Sequence, residues 1–439
     1  MLTQISQNGA PPNEAVARAI SLQKLVTAFI CTGLFFLVLP GTFLGVWNLI
    51  AVSAHRAAHS LSPAWVQAHG HAQMFGWIGT FIIGIGFFSL SKMGPVAPFA
   101  ITRGWWSWIL WTTGVAMRWA AGVYAWQWQI LMPASAVLEL AGFLLFYRTV
   151  RRHKPAGGGN RPRETWMQVV IASTIIFLLV LLLNCGAAIF VALKGAAPAL
   201  PAGLDQRFLL LAAWGFLVPT VWGFNARWLP VFIGLPQPNA CAMMLALGAL
   251  GAALVTGFVG LSLPASLLLV AASALAAWSL HVFRPSVQPA KTQGIHPSFP
   301  HFIRIAYVWL LAAAVLTCWA AVADVNGGII GASRHAVTVG FLATMVFAIG
   351  SRILPSFCGH RVLFSKNLMF TSLLLLTIGC VLRVGCEIPA YEGNVAAAWG
   401  VLPFSAVLEL TAVGIFATNV VVSFFKKPAV QAAVQRTAA

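Results

Sequence analysis

The stretch "WVQAHGHAQMFGWIGTFIIGIGFFSL", residues 65–90, places two histidines directly before a long apolar run. His69 and His71 open the run, and no charged residue follows them before Leu90. A helix that crosses a bilayer needs about twenty predominantly apolar residues. The stretch therefore predicts a transmembrane helix that carries two imidazoles near one end.

The composition of the whole chain agrees with a membrane protein. Of the 439 residues, 60% are hydrophobic and only 8% are charged, which excludes a soluble domain of this length. The net charge is +18, but the basic residues lie at the ends of apolar segments and form no stripe, so nucleic acid is excluded as a partner. The first apolar run, 25–47, is too long for a signal-peptide core and is predicted to be retained.

Apolar runs of spanning length recur along the chain and predict an all-α, polytopic protein embedded in the lipid bilayer. We expect about twelve transmembrane helices, at residues 25–47, 70–90, 104–123, 129–148, 166–191, 207–229, 240–259, 264–283, 302–322, 334–354, 367–388 and 396–424.

Lysine and arginine are concentrated in every second connection between these runs. The stretch 149–164 is the most basic of these connections and contains Gly157–Gly159, which predicts a flexible linker. By the positive-inside rule, the basic connections and both termini are cytoplasmic. His69, His71 and His335 then lie at the outer ends of the second and tenth helices.

Internal similarity predicts three units of four helices within one transmembrane domain, residues 1–439. "GFLVPTVWGFNARWLPVFIG" (215–234) aligns without gaps on "GFLATMVFAIGSRILPSFCG" (340–359), and "HAQMFGWIGT" (71–80) matches "HAVTVGFLAT" (335–344). The motif "SAVLEL" occurs at 135–140 and again at 405–410. The predicted repeats are approximately 22–150, 165–284 and 301–425.

The first and third units share a histidine, an arginine and a glutamate in the same order: His71, Arg118 and Glu139, then His335, Arg383 and Glu409. Equivalent positions in a repeat lie at equivalent depth, so we expect the two histidines in one layer. Two imidazoles from different helices are suitable axial ligands for heme iron. The alternative is that both are interfacial residues with a polar tip in the headgroup region.

Two interpretations also remain open for the arginines. Arg118 and Arg383 are predicted near the histidine layer, where the guanidinium group suits the carboxylates of heme propionates. They can equally neutralise Glu139 and Glu409, which lie near mid-helix and must be paired, protonated or in a polar cavity. A proton-relay role for these two glutamates is the functional alternative.

His69 precedes His71 by two residues and therefore points about 200° away from it on a regular helix. It is a candidate ligand for copper, or a hydrogen-bond partner of a propionate or a carbonyl group. The seven cysteines fall mostly in apolar runs without metal-binding spacing and are predicted to be small core residues.

Three motifs together resemble the NnrS family, namely "HGHAQMFG" (69–76), "NARWLPVF" (225–232) and "HAVTVGFLATMVFAIGSR" (335–352). The resemblance implies a bacterial inner-membrane protein of the nitric oxide response that contains heme and copper, with His69, His71 and His335 as metal ligands. The chain departs from the family's usual H-x-H-E at Ala72 and from its H-T-G-R at residues 358–361, which read CGHR.

The twelve-helix plan is also similar to the catalytic subunit of heme-copper oxidases, which hold a low-spin heme on their helices 2 and 10. The further histidines of an oxidase binuclear centre are missing, because no histidine occurs between residues 154 and 280. We therefore predict a heme b between the second and tenth helices in a protein that defends against nitric oxide. The alternatives are a transporter of a small solute or metal, and an oxidoreductase that oxidises quinol.

Overall fold

The computed structural model describes residues 12–57, 60–90, 101–152, 164–357 and 363–425, and over these residues the chain forms helices and no strand. Eleven described helices are long and apolar enough to cross a bilayer, and Ile101–Tyr124 is a further long helix. In chain order we call them α1 to α12: Ala17–His55, Pro63–Ser89, Ile101–Tyr124, Trp128–Val150, Thr165–Lys194, Ala202–Phe232, Ala240–Phe258, Ser262–Ser279, Phe299–Ala323, Gly328–Phe357, Lys366–Tyr391 and Ala396–Phe425.

The predicted all-α membrane architecture is confirmed, but several helices begin earlier than their apolar runs. Helix α2 starts at Pro63, α6 at Ala202 and α10 at Gly328, each with a polar first or second turn that hydropathy does not detect. Proline in the first turn suits the start of α2, since its missing N–H has no helical acceptor there. His69 and His71 consequently lie well inside a helix.

The basic connection after α4 lies mostly outside the described residues. The helix itself continues to Arg152, so the first residues of the predicted 149–164 linker are helical. Residues 153–163 are not among the described ones.

Short π-helical segments recur in α2, α6 and α10. They cover Ala72–Gly79, Leu210–Leu217 and Ala336–Ala343, and a further segment, Leu37–Phe43, lies in α1. In α2 and α10 the segment follows directly after the histidine. Such π-helices are rare and occur often at functional sites.

A threonine ends two of these segments in the same way. The hydroxyl of Thr80 donates to the carbonyl of Phe75 at 3.2 Å, and the hydroxyl of Thr344 donates to the carbonyl of Val339 at 3.2 Å. Each bond reaches five residues back and so uses the wider π-type spacing. The local correspondence between α2 and α10 is therefore close, while the division of the chain into three four-helix repeats stays a prediction.

Candidate functional site

His71 of α2 and Glu139 of α4 form a buried, hydrogen-bonded pair. His71 Nε2 lies 2.8 Å from Glu139 Oε1, and Asn184 Nδ2 of α5 donates to Glu139 Oε2 at 3.0 Å. Glu139 is completely buried, and the His71 ring stacks on Phe75 with centroids 4.4 Å apart. Both carboxylate oxygens of Glu139 are therefore bonded, as a carboxylate buried in a bundle requires.

Arg118 of α3 adds positive charge to this pair. It is buried and interacts electrostatically with Glu139 and with Asp205 of α6. Its Nη1 atom is buried without a hydrogen-bond partner. The interaction with Glu139 agrees with the charge-balancing interpretation of this arginine.

His335 of α10 has different neighbours from His71. Its Nδ1 atom lies 2.9 Å from the carbonyl oxygen of Gly331 and 3.0 Å from Glu387 Oε2. A carbonyl oxygen only accepts, so Nδ1 carries the proton and Nε2 of the neutral ring keeps its lone pair. Arg383 Nη2 faces that lone pair at 3.4 Å.

Arg383 forms an ion pair with Glu387 rather than a hydrogen bond with Glu409, the glutamate that the sequence suggested. Its Nη2 atom lies 3.5 Å from Glu387 Oε1, four residues further along α11. Glu409 interacts electrostatically with His335 and Arg383, but its Oε1 atom is buried without a hydrogen-bond partner. The polar group on α10 to α12 is therefore less completely bonded than the group on α2 to α5.

His69 faces α1 and the His335 group. Its Nδ1 atom lies 2.9 Å from the carbonyl oxygen of Gly41, which again leaves the lone pair on Nε2. The imidazole interacts electrostatically with His335 and Arg383. His69 is thus bonded to a backbone carbonyl of α1, whereas His71 is bonded to Glu139.

The fold and these motifs agree with one known family. The sequence profile of the NnrS protein family matches residues 27–427, essentially the whole chain. The chain belongs to the NnrS family. Membership of this family makes it a membrane protein of the nitric oxide response. No curated protein matches the chain significantly.

Three glycines in the π-helical segments of α2 and α10 allow neighbouring helices to approach closely in this NnrS protein. A Cβ atom would meet the Phe36 ring at Gly76, Trp111 at Gly79 and Trp309 at Gly340. Aromatic side chains of neighbouring helices therefore fill these positions. The packing at these three glycines therefore leaves no space for a heme ring.

The donor atoms nevertheless suit a heme in this NnrS protein. Nε2 of His69 and of His335 both carry lone pairs, and the unpartnered Nη1 atoms of Arg118 and Arg383 are suitable donors to carboxylates. Among the described residues, no group of three or more His, Cys, Asp and Glu side chains forms a metal site.

Three charged residues near the site were not predicted from the sequence: Glu387, Asp205 and Arg334. Glu387 follows Arg383 by four residues, which is the spacing of ion pairs on a helix and is visible in the sequence. Asp205 and Arg334 interact electrostatically with each other across α6 and α10. No local sequence pattern links them, because their contact depends on how the helices assemble.

Proposed function

We propose that this NnrS family member holds a b-type heme in the outer part of the bundle, between α2 and α10, and acts in the response to nitric oxide. His69 and His335 would hold its iron. The observation that carries the proposal is the position of Nδ1 in these two rings. In each, Nδ1 lies 2.9 Å from a backbone carbonyl oxygen, which accepts a hydrogen bond from Nδ1–H and leaves the lone pair of a neutral ring on Nε2. This is how proteins orient a metal-binding imidazole. Nε2 of His335 faces Arg383 and no acidic group among the described residues.

Of the two histidines on α2, His69 is the better candidate for the iron ligand. His71 Nε2 is 2.8 Å from a fully buried glutamate. Ligation through this atom would break the bond and leave Glu139 with a buried, uncompensated oxygen, which is expensive. His69 needs no such change, because its Nδ1 atom is bonded to the carbonyl oxygen of Gly41 and Nε2 has no acidic partner among the described residues.

The arginines provide the second part of the proposed site. Arg383 lies 3.4 Å from His335, and both Arg383 and Arg118 have a buried Nη1 atom without a partner. We assign these atoms to the propionate carboxylates, while the remaining nitrogens balance Glu387 and Glu139. When bound, the heme supplies an iron that changes oxidation state and binds diatomic gases.

The predicted copper stays a prediction, since His69 is assigned here to iron. The proposed location is the bacterial inner membrane with cytoplasmic termini. It is supported by the family membership and by the alternation of basic connections along the chain.

The test is the visible and electron paramagnetic resonance spectrum of the full-length protein, purified from the membrane. We expect a low-spin ferric heme in the wild type. His69→Ala and His335→Ala should each lose the heme or convert it to a high-spin form. His71→Gln should keep the low-spin spectrum, because the amide still donates to Glu139.

His55→Ala is the matched control, since His55 ends α1 and, among the described residues, its ring bonds to a backbone carbonyl of its own helix. A wild-type protein without heme would contradict the proposal. A low-spin heme that survives in His69→Ala and disappears in His71→Gln would show that His71 is the ligand from α2.

A further inference from the structure

The π-helical segment of α1, Leu37–Phe43, contacts the turn of α2 that carries His69. It contains Pro40, which has no N–H to donate within the helix. A π-type bond also reaches five residues instead of four, so the main-chain groups of this segment are spaced differently from those of an α-helix. The segment is therefore a place where α1 can accept hydrogen bonds from its neighbours.

Three consecutive residues of this segment accept hydrogen bonds from side chains of α2 and α3. The bonds run from Trp119 Nε1 to the carbonyl oxygen of Pro40 at 3.1 Å, from His69 Nδ1 to the carbonyl oxygen of Gly41 at 2.9 Å, and from Gln73 Nε2 to Thr42 Oγ1 at 2.9 Å. His69 and Gln73 are four residues apart and so lie on the same side of α2. The Gln73 amide also packs on Gly41, since a Cβ there would lie 2.8 Å from it.

Gly45, one turn beyond Gly41 in α1, makes room for the His69 ring. A Cβ at Gly45 would lie 2.5 Å from Cε1 and 2.8 Å from Nδ1 of this imidazole. Carbon atoms that are not bonded stay about 3.5–4 Å apart, so a side chain at this position would displace the ring. Because Cε1 lies between the two ring nitrogens, the displacement would disturb the bond of Nδ1 to Gly41 and also redirect Nε2.

We propose that Gly41, Thr42 and Gly45 of α1 orient the His69 imidazole and fix its tautomer. The carbonyl of Gly41 keeps the proton on Nδ1, Gly45 sets the direction of the ring, and Thr42 holds Gln73 and with it α2 against α1. All three are positioning residues. The inference rests on the proposed function in taking His69 as an iron ligand, and an imidazole that is already oriented is the better prepared to bind a metal.

The first experiment observes the His69 tautomer directly in heme-free, full-length protein. Nitrogen-15 spectra of the histidine-labelled protein distinguish a protonated Nδ1 from a protonated Nε2 at about pH 8, where an imidazole is neutral. The His69 signals are those missing from His69→Gln. We expect a single tautomer with the proton on Nδ1 in the wild type, and signals of both tautomers in Gly45→Ala.

Gly33→Ala is the matched control for this substitution. Gly33 also lies in α1 and faces α2, and a Cβ there would lie 2.6 Å from two ring carbons of Phe81. The two variants are therefore similarly crowded, but Gly33→Ala meets an apolar ring. It should keep the wild-type signals of His69.

Thr42→Val provides a test without added bulk, because valine has the shape of threonine and no acceptor for Gln73. The second His69 tautomer should appear in this variant, and Thr42→Ser, which keeps the hydroxyl, should retain the single one. This pair decides the proposal if Gly45→Ala does not fold.

The second experiment uses heme-loaded protein and electron paramagnetic resonance. Gly45→Ala should lose the low-spin signal that the wild type and Gly33→Ala show. Unchanged His69 nitrogen signals in folded Gly45→Ala or Thr42→Val, or the same change in Gly33→Ala, would overturn the role of α1. A wild type without heme would contradict the proposed function alone, and the nitrogen spectra would still decide whether α1 orients His69.

Discussion

The α2–α5 group and the α10–α12 group start from the same residue types and reach different pairings. In the first, His71 bonds directly to Glu139, and every oxygen of that glutamate is used. In the second, His335 bonds to a carbonyl and faces Arg383, while Glu409 keeps a buried oxygen without a partner.

One position explains the divergence. Glu387 follows Arg383 by four residues, and the residue four after Arg118 is Gly122. A Cβ at Gly122 would come within 3.1 Å of Ala68, so α2 occupies this space in the first group and leaves no room for a carboxylate. In the last group Gly331 provides that room, because a Cβ there would collide with Glu387. Helix packing thus leaves His71 to pair with Glu139 in the first group, whereas His335 and Arg383 pair with Glu387 in the last group.

The largest difference is expected when each mid-helix glutamate is removed. Glu139→Ala leaves His71 and Arg118 without their buried partner and should lower the free energy of unfolding by about 3–5 kcal/mol. Glu409→Ala removes a carboxylate that is only partly bonded and should cost much less. Thermal unfolding of the two purified variants in detergent measures both. Equal losses of stability would mean that the two glutamates are equally well bonded.

Arg383 and Arg118 should differ in their effect on the heme. Arg383→Gln removes a positive charge beside His335, which favours the ferric state, so the reduction potential should fall. Loss of one close charge is worth on the order of 1–4 kcal/mol. Arg118→Gln should change the potential less, because Arg383 lies 3.4 Å from Nε2 of His335, whereas Arg118 interacts with Glu139 and Asp205. Redox titration of both variants measures the two reduction potentials. An unchanged potential in well-folded Arg383→Gln would contradict a place for this arginine beside the heme.

Two equivalent glycines give a smaller and purely steric comparison. A Cβ at Gly114 would lie 2.8 Å from both Glu139 Cγ and the carbonyl oxygen of Ser135, whereas a Cβ at Gly379 would lie 2.7 Å from Glu409 Cγ and 3.2 Å from the nearest backbone atom. Gly114→Ala should cost about 1–3 kcal/mol, as overpacking usually does. Gly379→Ala should cost less, since its closest clash is with a side-chain atom of Glu409 and the backbone atoms lie 3.2 Å or more away. Denaturation midpoints of the pair provide the measurement.

The smallest effect concerns a loop that belongs only to the last group. Glu392 accepts hydrogen bonds from the backbone N–H groups of Val325, Asn326 and Gly328. Burial opposes its charge, but these N–H groups prevail and hold the pKa of Glu392 below its ordinary value. Since this pKa is lowered by folding, the stabilisation is present above the ordinary pKa and is lost as the pH falls towards the lowered one.

Glu392→Gln should therefore accelerate amide hydrogen exchange at residues 325–328 at neutral pH. In the variant, the stability of this loop should depend less on pH in the acid range than in the wild type. The wild-type loop should open on acidification. Exchange rates that are the same in both proteins at all pH values would show that the carboxylate does not hold the loop.

The sequence predicted the class of fold, because hydropathy reports on single helices, whereas the ligand roles that it assigned to histidines stay predictions. It also predicted that His69 and His71 point in nearly opposite directions, since both lie on one regular helix. The repeat predicted His71 as the partner of His335 across a heme, which stays a prediction. It did not predict the hydrogen bond of His71 to Glu139, because that bond depends on how α2 is rotated against its neighbours. Asp205 was missed for the same reason, while Glu387 was recognisable by its helical spacing.

The π-helical segments that follow His71 and His335 alter the winding of α2 and α10. Wider turns change the angular phase between the outer end of a helix and the part that packs in the membrane. If one residue were deleted from Ala72–Gly79 or Ala336–Ala343, the outer end would turn by about 100° relative to the inner part, given 3.6 residues per turn. His69 would then point away from His335 without any change in the rest of the bundle, so the length of these segments sets the direction of the imidazoles as surely as the identity of the residues.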